Sequence, residues 1–599
     1  MSEEPRDEPA VPSHPLTYSR TMAERLVFGA PFDRTARDAA LAQELRSGIL
    51  TLPPHRAWRM PASITWRENP YREPNWVAQL HMLRWLDPLR RRALAGDVEL
   101  LDTWWDIAGS WIRSNPPGRG RATYSWADMV EAARALTLAF ALPALEDHRP
   151  QHVPTILDSL REHGEWLVDP RHIRTGNHAL QQHQGLLVIG AVLERPEWIE
   201  LAVERSSAML MTSYDDQGVN EEGAVQYHQI NYMWWNNLGR RVEIATGSTP
   251  ETFRRVRRAP LAMAHATRPD GRYELIGDTE EFTPRNLGHP AIDWVASAGE
   301  QGIPPQDRVA VLDAGYVFGR STWGDEHTPF DAAAFYSARF GPQDRIHGHV
   351  DGMALTLWAG GESLLVDSGK FAYDATDEHR RHLLSREAHN SVSVDGLAYD
   401  RTTRVELTLQ RRHDAHEHFR FEDRGYRGVT LTRDLVISLE LGVALVVDAF
   451  ASEHEVTVHQ WWHLHPDAGH RVEEHGLLAQ TSANRMHLGW PAGTPRPRVT
   501  KGTTDPMQGW FSPSWRNIRP TRTVDVRTEG TRGRVVTALT FGPDSTPVSV
   551  DAVTDSEDGA VVVHLGRTGG TPLTIAISPR DSLLAVGHHA VEDTSKILD

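Results

Sequence analysis

The residues best suited to chemistry lie between positions 345 and 390. Arg345-Ile346-His347-Gly348-His349-Val350-Asp351 sets two imidazoles two residues apart, Leu365-Val366-Asp367-Ser368-Gly369 ends an apolar run on a carboxylate, and Ala388-His389-Asn390 brings a third imidazole. On a strand, residues i and i+2 share a face, so the spacing predicts that His347 and His349 point the same way. His349, Asp367 and His389 then offer two nitrogens and one oxygen, a donor set that suits zinc ahead of calcium or manganese. His347 is left beside the ion as a candidate acid or base. Two other readings stay open. One is polar residues alternating on solvated strands. The other is a cupin-like metal site, which also begins with HxH but here lacks its usual glutamate a few residues on, Glu362 coming too late.

Two further constellations lie upstream. Arg174-Thr175-Gly176-Asn177-His178 offers an amide and an imidazole, unless Asn177 simply caps a helix. His178 and His183 are five apart and share no helix face, so they are not paired ligands. Asn220 to His228 carries Glu222 and Tyr227 into an aromatic segment with Tyr232, Trp234 and Trp235; the competing reading is a core helix. Candidate substrate contacts are Trp126 and Arg134, eight apart and roughly on one helix face, with Glu222, Tyr373 and Arg386. A hydrolase needs two opposed carboxylates, for which Glu222 and Asp278 are the nominees.

These residues must be positioned by two kinds of structure. From about residue 30 to 312, apolar residues recur at helical spacing, in runs from Trp76 to Leu94 (broken at Pro88), Val98 to Ile112, Trp126 to Leu142, Asn177 to Leu193 and Glu222 to Thr246. Short Pro and Gly breaks between them predict antiparallel helical hairpins. After Asp313-Ala314-Gly315 the period becomes two, with a hairpin over Ala354 to Asp367 and regular short strands to the C-terminus, the pattern of an antiparallel sandwich. The expected division is a polar tail over 1–30, a helical domain over 31–312 and a β domain over 313–599.

At 599 residues, more than one domain is required. The net charge of −17 excludes a general nucleic-acid binder, though an arginine-lined cleft can still take an anion. Basic residues are almost all arginine, with lysine only at 370, 501 and 596, and there is no cysteine, hence no disulfide, thiolate metal site or thiol nucleophile. No apolar run reaches membrane-spanning length and the acidic, proline-rich start is not a secretory signal. A cytoplasmic protein without a membrane partner is expected. No motif fixes the oligomeric state, and a homodimer is allowed.

Taken in order, Trp66-Arg67-Glu68-Asn69-Pro70, Asn177-His178, Glu222 to Tyr227-His228, His347-Gly-His349-x-Asp351, Val366-Asp367-Ser-Gly and His389-Asn390 resemble the heparinase II/III-like polysaccharide lyases. The resemblance spans most of the chain; Ser368 departs from the family's more frequent proline. It implies an incomplete α/α toroid followed by an antiparallel β-sandwich, and β-elimination at C4 of a uronic acid. It also implies roles: Asn177 and His178 neutralise the uronate carboxylate, Tyr227 protonates the leaving oxygen or takes the C5 proton, and His347 is a base. A structural metal on His349, Asp367 and His389 completes the set. Heparan, hyaluronan, chondroitin and alginate are all substrates within the superfamily, and exo-cleavage of anionic oligosaccharides is the expectation here. The alternatives are a toroid hydrolase and a metal-containing carbohydrate-binding protein without catalysis.

Overall fold

The computed structural model describes residues 17–29, 32–33, 35–556 and 559–587. Of the expected tail, residues 1–16 fall outside these. The remainder is not a plain tail, because Arg20–Arg25 is a helix whose first turn donates to the Ser19 hydroxyl and which buries Ala23. The chain forms an N-terminal incomplete α/α toroid followed by an antiparallel β-sandwich, as expected. By packing it divides into two compact units, Met1–Ser213 with Met233–Phe253, and Tyr214–Tyr232 with Arg254–Asp599. The expected boundary between 312 and 313 differs from this division and falls after the first strand of the five-stranded sheet, Val309–Leu312.

In the first unit, Val130–His148, Val153–Val168, Gly176–Val192 and Pro196–Ser213 pack as successive hairpins. Val130–His148 is buried from Val130 through Leu145, and Gly176–Val192 from Gln182 onward. Helices enclosed on every side form the centre of such a unit. Leu100–Ser114 covers them with one stripe, burying Leu101, Trp104, Ala108 and Trp111. Two expected boundaries move. The break after Trp76 falls at Leu83, which adopts φ +58, while Pro88 stands in the first turn of Asp87–Leu94, where its missing N–H costs nothing. Trp126 precedes its helix, which starts at Val130 and runs on through Pro143.

The second unit has three layers of strands. A five-stranded antiparallel sheet runs Val309–Leu312, Tyr316–Arg320, Phe335–Arg339, Leu355–Ala359, Glu362–Leu365. An eleven-stranded sheet is centred on Val429–Ser438, Val443–His463 and Arg522–Gly542, and four strands between Val548 and Val586 form another sheet. Side chains alternate across a strand, and here both faces of the central sheet are apolar. Leu435, Ile437, Ala444 and Val446 join a core with Tyr336, Leu355 and Leu357 from the five-stranded sheet. Val436, Leu445 and Val447 join a core with Val550, Val563 and Ile575 from the four-stranded one.

Candidate active site and metal centre

In the second unit three loops meet where glycine removes the side chain. A Cβ on Gly223 would lie 2.6 Å from Gly348 Cα, and one on Gly277 would lie 2.5 Å from His347 O and 2.6 Å from Gly223 O. Backbone bonds lace them together, Gly223 N donating to Ile346 O at 2.8 Å and Asp278 N to His347 O at 2.9 Å. The HxH segment is thus a loop and not the expected strand, and its two histidines do not share a face. His347 takes φ +59, a conformation a non-glycine residue adopts only when held there, and the turn sends the two imidazoles to different neighbours.

His347 goes to the helix Val225–Thr246. Its ring stacks on Tyr227 with centroids 3.6 Å apart and planes 10° apart. Its Nδ1 donates to Glu222 Oε2 at 2.6 Å, and Glu222 Oε1 accepts from Asn231 Nδ2 at 2.9 Å. With Nδ1 committed to a carboxylate, Nε2 is the nitrogen able to take a proton. The Tyr227 hydroxyl bonds that of Tyr373, and Lys370 Nζ donates to Tyr373 Oη at 3.0 Å. Burial, then the Tyr373 hydroxyl, hold the Tyr227 phenol above its ordinary value, so it is a neutral acid. Tyr373 and Trp515 are both 45% exposed, with rings 5.0 Å apart. The arrangement offers a phenol that can give a proton beside an imidazole that can accept one.

His349 turns inward. His349, Asp367 and His389 are buried, with one ligand atom from each lying within 4.8 Å of the others. His349 Nε2 donates to Asp278 Oδ1 at 3.1 Å and His389 Nδ1 to Asp367 Oδ2 at 2.9 Å. His349 Nδ1 and His389 Nε2 are left buried without a hydrogen-bond partner. Such orphaned nitrogens are costly, and their presence in a buried His–Asp–His cluster fits a divalent cation, with Asp278 on His349 as the outer carboxylate that orients a metal-binding histidine.

In the first unit, Asn177 and His178 sit in the first turn of Gly176–Val192, where free N–H groups favour an anion. Thr175 is the N-cap residue, so Asn177 is not the cap. His178 Nδ1 pairs with Asp128, whose backbone carbonyl accepts from Gln182 Nε2 at 2.6 Å. Asn177 and His178 line a cavity with Arg84, Trp234 and Asn237. Arg84 Nε is buried without a partner, and burial pushes its pKa down to about 10.

Three expected substrate contacts lie in the interior instead. Trp126 is 7% exposed, its indole N–H donating to Asn115 O at 2.8 Å. Arg134 is fully buried, 3.6 Å from the Trp111 ring centroid, and donates to His163 Nε2 and His81 O at 2.9 Å each. The helix that carries it is enclosed on all sides, so position 134 has no route to solvent. Arg386 donates to Val392 O and pairs with Asp423, each at 2.7 Å. Glu222 serves His347, and Tyr373 alone of the five stands open beside Tyr227. Lys370, Arg84, Asp128 and Trp515 did not emerge from the sequence; only Lys370 carried a signal, as one of three lysines.

The fold and these two groups describe a toroid-plus-sandwich protein with a stacked tyrosine and histidine and a His–Asp–His cluster that could hold a metal ion. The heparinase II/III N-terminal family model matches residues 33–289 and the heparinase II/III-like C-terminal model residues 304–558. Among solved structures, heparan sulfate lyase HepC from Pedobacter heparinus is similar, with TM-score 0.73 and 16% identity over 98% of this chain and 92% of that one. The heparinase III BT4657 gene product has TM-score 0.75 and 15% identity over 96% of this chain and 93% of its own. A comparison with curated protein sequences found no match. The chain belongs to the heparinase II/III-like family of polysaccharide lyases, enzymes of the carbon–oxygen lyase class.

Proposed function

We propose that the protein cleaves a uronate-containing glycosaminoglycan by β-elimination, leaving a 4,5-unsaturated uronate. The observation that carries the reading is the Tyr227–His347 stack, with Glu222 on Nδ1 and Tyr373 on the phenol. His347 Nε2 takes the C5 proton, the C4–C5 double bond forms as the C4–O4 bond breaks, and Tyr227 delivers its proton to O4. The C5–H bond is acidic enough only if the neighbouring carboxylate is neutralised. Asn177, an uncharged donor, and His178, oriented by Asp128, take that task, with His178 a second candidate base. Heparan-type chains are the first substrate to try, since the similar solved proteins are described as heparan sulfate lyases.

The ion is proposed to be zinc, ahead of calcium or manganese, on His349, Asp367 and His389. Because the loop bearing His349 also bears His347, a bound ion would brace the base; the residues do the proton chemistry. The hydrolase reading loses its nominees, as Glu222 is held by His347 and Asn231, and Asp278 is 1% exposed and paired with Arg380 and His349.

The test is a panel of heparan sulfate, chondroitin sulfate, hyaluronan and alginate oligosaccharides, followed by the ultraviolet absorbance of the unsaturated product. Absorbance growth with at least one member is expected, and product sizes separate exo- from endo-cleavage. Saturated products, or binding without cleavage, would overturn the reading.

A further inference from the structure

Among the described residues, Lys370 is buried beside the site and no role above uses it. Its side chain is 3% exposed, its Nζ lies 2.7 Å from Glu280 Oε1 and it donates to Tyr373 Oη at 3.0 Å. The Tyr373 hydroxyl in turn bonds the Tyr227 hydroxyl, so the three groups form one continuous chain. We propose that Lys370 is the distal end of a proton relay, Lys370–Tyr373–Tyr227, which orients the Tyr227 proton toward the leaving oxygen and replaces it after each turnover. The inference rests on the lyase reading above.

An ammonium group has donors and no acceptor, so the Tyr373 oxygen must accept from Lys370. The Tyr373 proton is then directed to the Tyr227 oxygen, and the Tyr227 proton is left for the substrate. When the C4–O4 bond breaks, Tyr227 gives its proton to O4 and becomes a phenolate. The Tyr373 proton moves to Tyr227, a Lys370 proton moves to Tyr373, and the neutral amine regains a proton from water. Glu280, whose side chain is 26% exposed, links Lys370 to solvent. No oxidant or co-reactant is needed, and the C5 proton leaves separately from the base.

The relay runs among charged groups. Tyr227 faces the His347 ring and the fields of Asp278 and Lys370, while Tyr373 faces Asp278, Glu280 and Arg380. Burial raises both phenols, so each phenolate, once formed, readily takes a proton back. Lys370 touches Tyr373 and not the substrate, which makes it a positioning and proton-supplying residue.

Lys370→Arg is the discriminating variant, because guanidinium keeps the charge and the donors but does not release a proton. With heparan sulfate oligosaccharide, or the panel member giving most product, kcat is expected to fall about tenfold or more while KM stays within about twofold. The solvent deuterium isotope effect on kcat is expected to rise as reprotonation becomes limiting. Lys370→Ala should lose more and regain turnover when methylamine is added. Wild-type kcat in Lys370→Arg, or a folded Lys370→Ala that methylamine does not rescue, would overturn the relay. A wild type that forms no unsaturated product on any panel member would instead overturn the lyase reading itself, a result distinct from two equally active proteins.

Discussion

Tyr227→Phe removes one oxygen and leaves the rest of the site standing. The ring that stacks on His347 at 3.6 Å is retained, so the imidazole keeps its neighbour and Glu222 keeps its Nδ1 contact. What disappears from the free protein is the hydroxyl contact with Tyr373, worth about 1 kcal/mol at a half-buried position. What disappears from the transition state is the proton for O4, a contribution of about 10²- to 10⁴-fold, or roughly 3–5 kcal/mol. Turnover should therefore fall by at least about a hundredfold with KM nearly unchanged and unfolding free energy lower by no more than about 1 kcal/mol. The assay is initial-rate absorbance of the unsaturated product with a parallel urea unfolding curve. Because Tyr227 is held above the ordinary phenol value of about 10, wild-type kcat should show no tyrosine-dependent decline below that pH. A phenolate base would do the opposite, with kcat climbing toward it. A Phe variant that keeps more than half of wild-type turnover would refute the acid assignment.

Asn177→Ala should cost about 3 kcal/mol in kcat/KM, as for an oxyanion donor, and leave the melting temperature in place because Thr175 holds the N-cap position; a lower melting temperature with intact activity would restore the capping role. Elemental analysis should find His349→Ala without metal and its β unit destabilised, while His347→Ala keeps the metal and loses turnover; loss of metal in both would mean the two histidines have been given the wrong roles. Gly223→Ala, whose Cβ would meet Gly348 Cα at 2.6 Å, should cost about 1–3 kcal/mol in urea unfolding and lower kcat, and a neutral result would show that the loops have room to part. Burial holds His81 down to about 3 and His183 and His228 to about 4. The unfolded chain therefore binds protons first below about 6.5, and stability should fall from there toward about pH 4, by up to about 1.4 kcal/mol per unit for each histidine. Urea midpoints that stay flat across that window would show these side chains to be solvated.

The architecture was legible because both periods, 3.6 and 2, are written in the order of apolar residues. The clustering of His349, Asp367 and His389 was legible because imidazoles and a carboxylate beside apolar runs are conspicuous by type. The direction of His347 was not, since the sign of one φ leaves no trace in a hydrophobic pattern, and it decides that His347 and His349 part company. Trp126, Arg134 and Arg386 have the chemistry of substrate contacts, yet their partners are His81, His163, Asn115 and Asp423, found only after folding. Lys370 and Tyr373 are three residues apart, but Tyr227, which completes their chain, is 146 residues from Tyr373.

Where the central sheet is packed on both faces, as along Leu435, Val436, Ile437 and Ala444, Leu445, Val446, few positions tolerate substitution silently, since successive side chains enter one core or the other. Ile346 and Trp515, by contrast, are 68% and 45% exposed on connections between strands. Mutational tolerance is therefore unevenly distributed: heritable variation can accumulate at the rim around Tyr227 and His347 without loosening the cores. A lineage built on this chain could exchange a few rim residues while the Tyr227–His347 stack and its scaffold pass on unaltered.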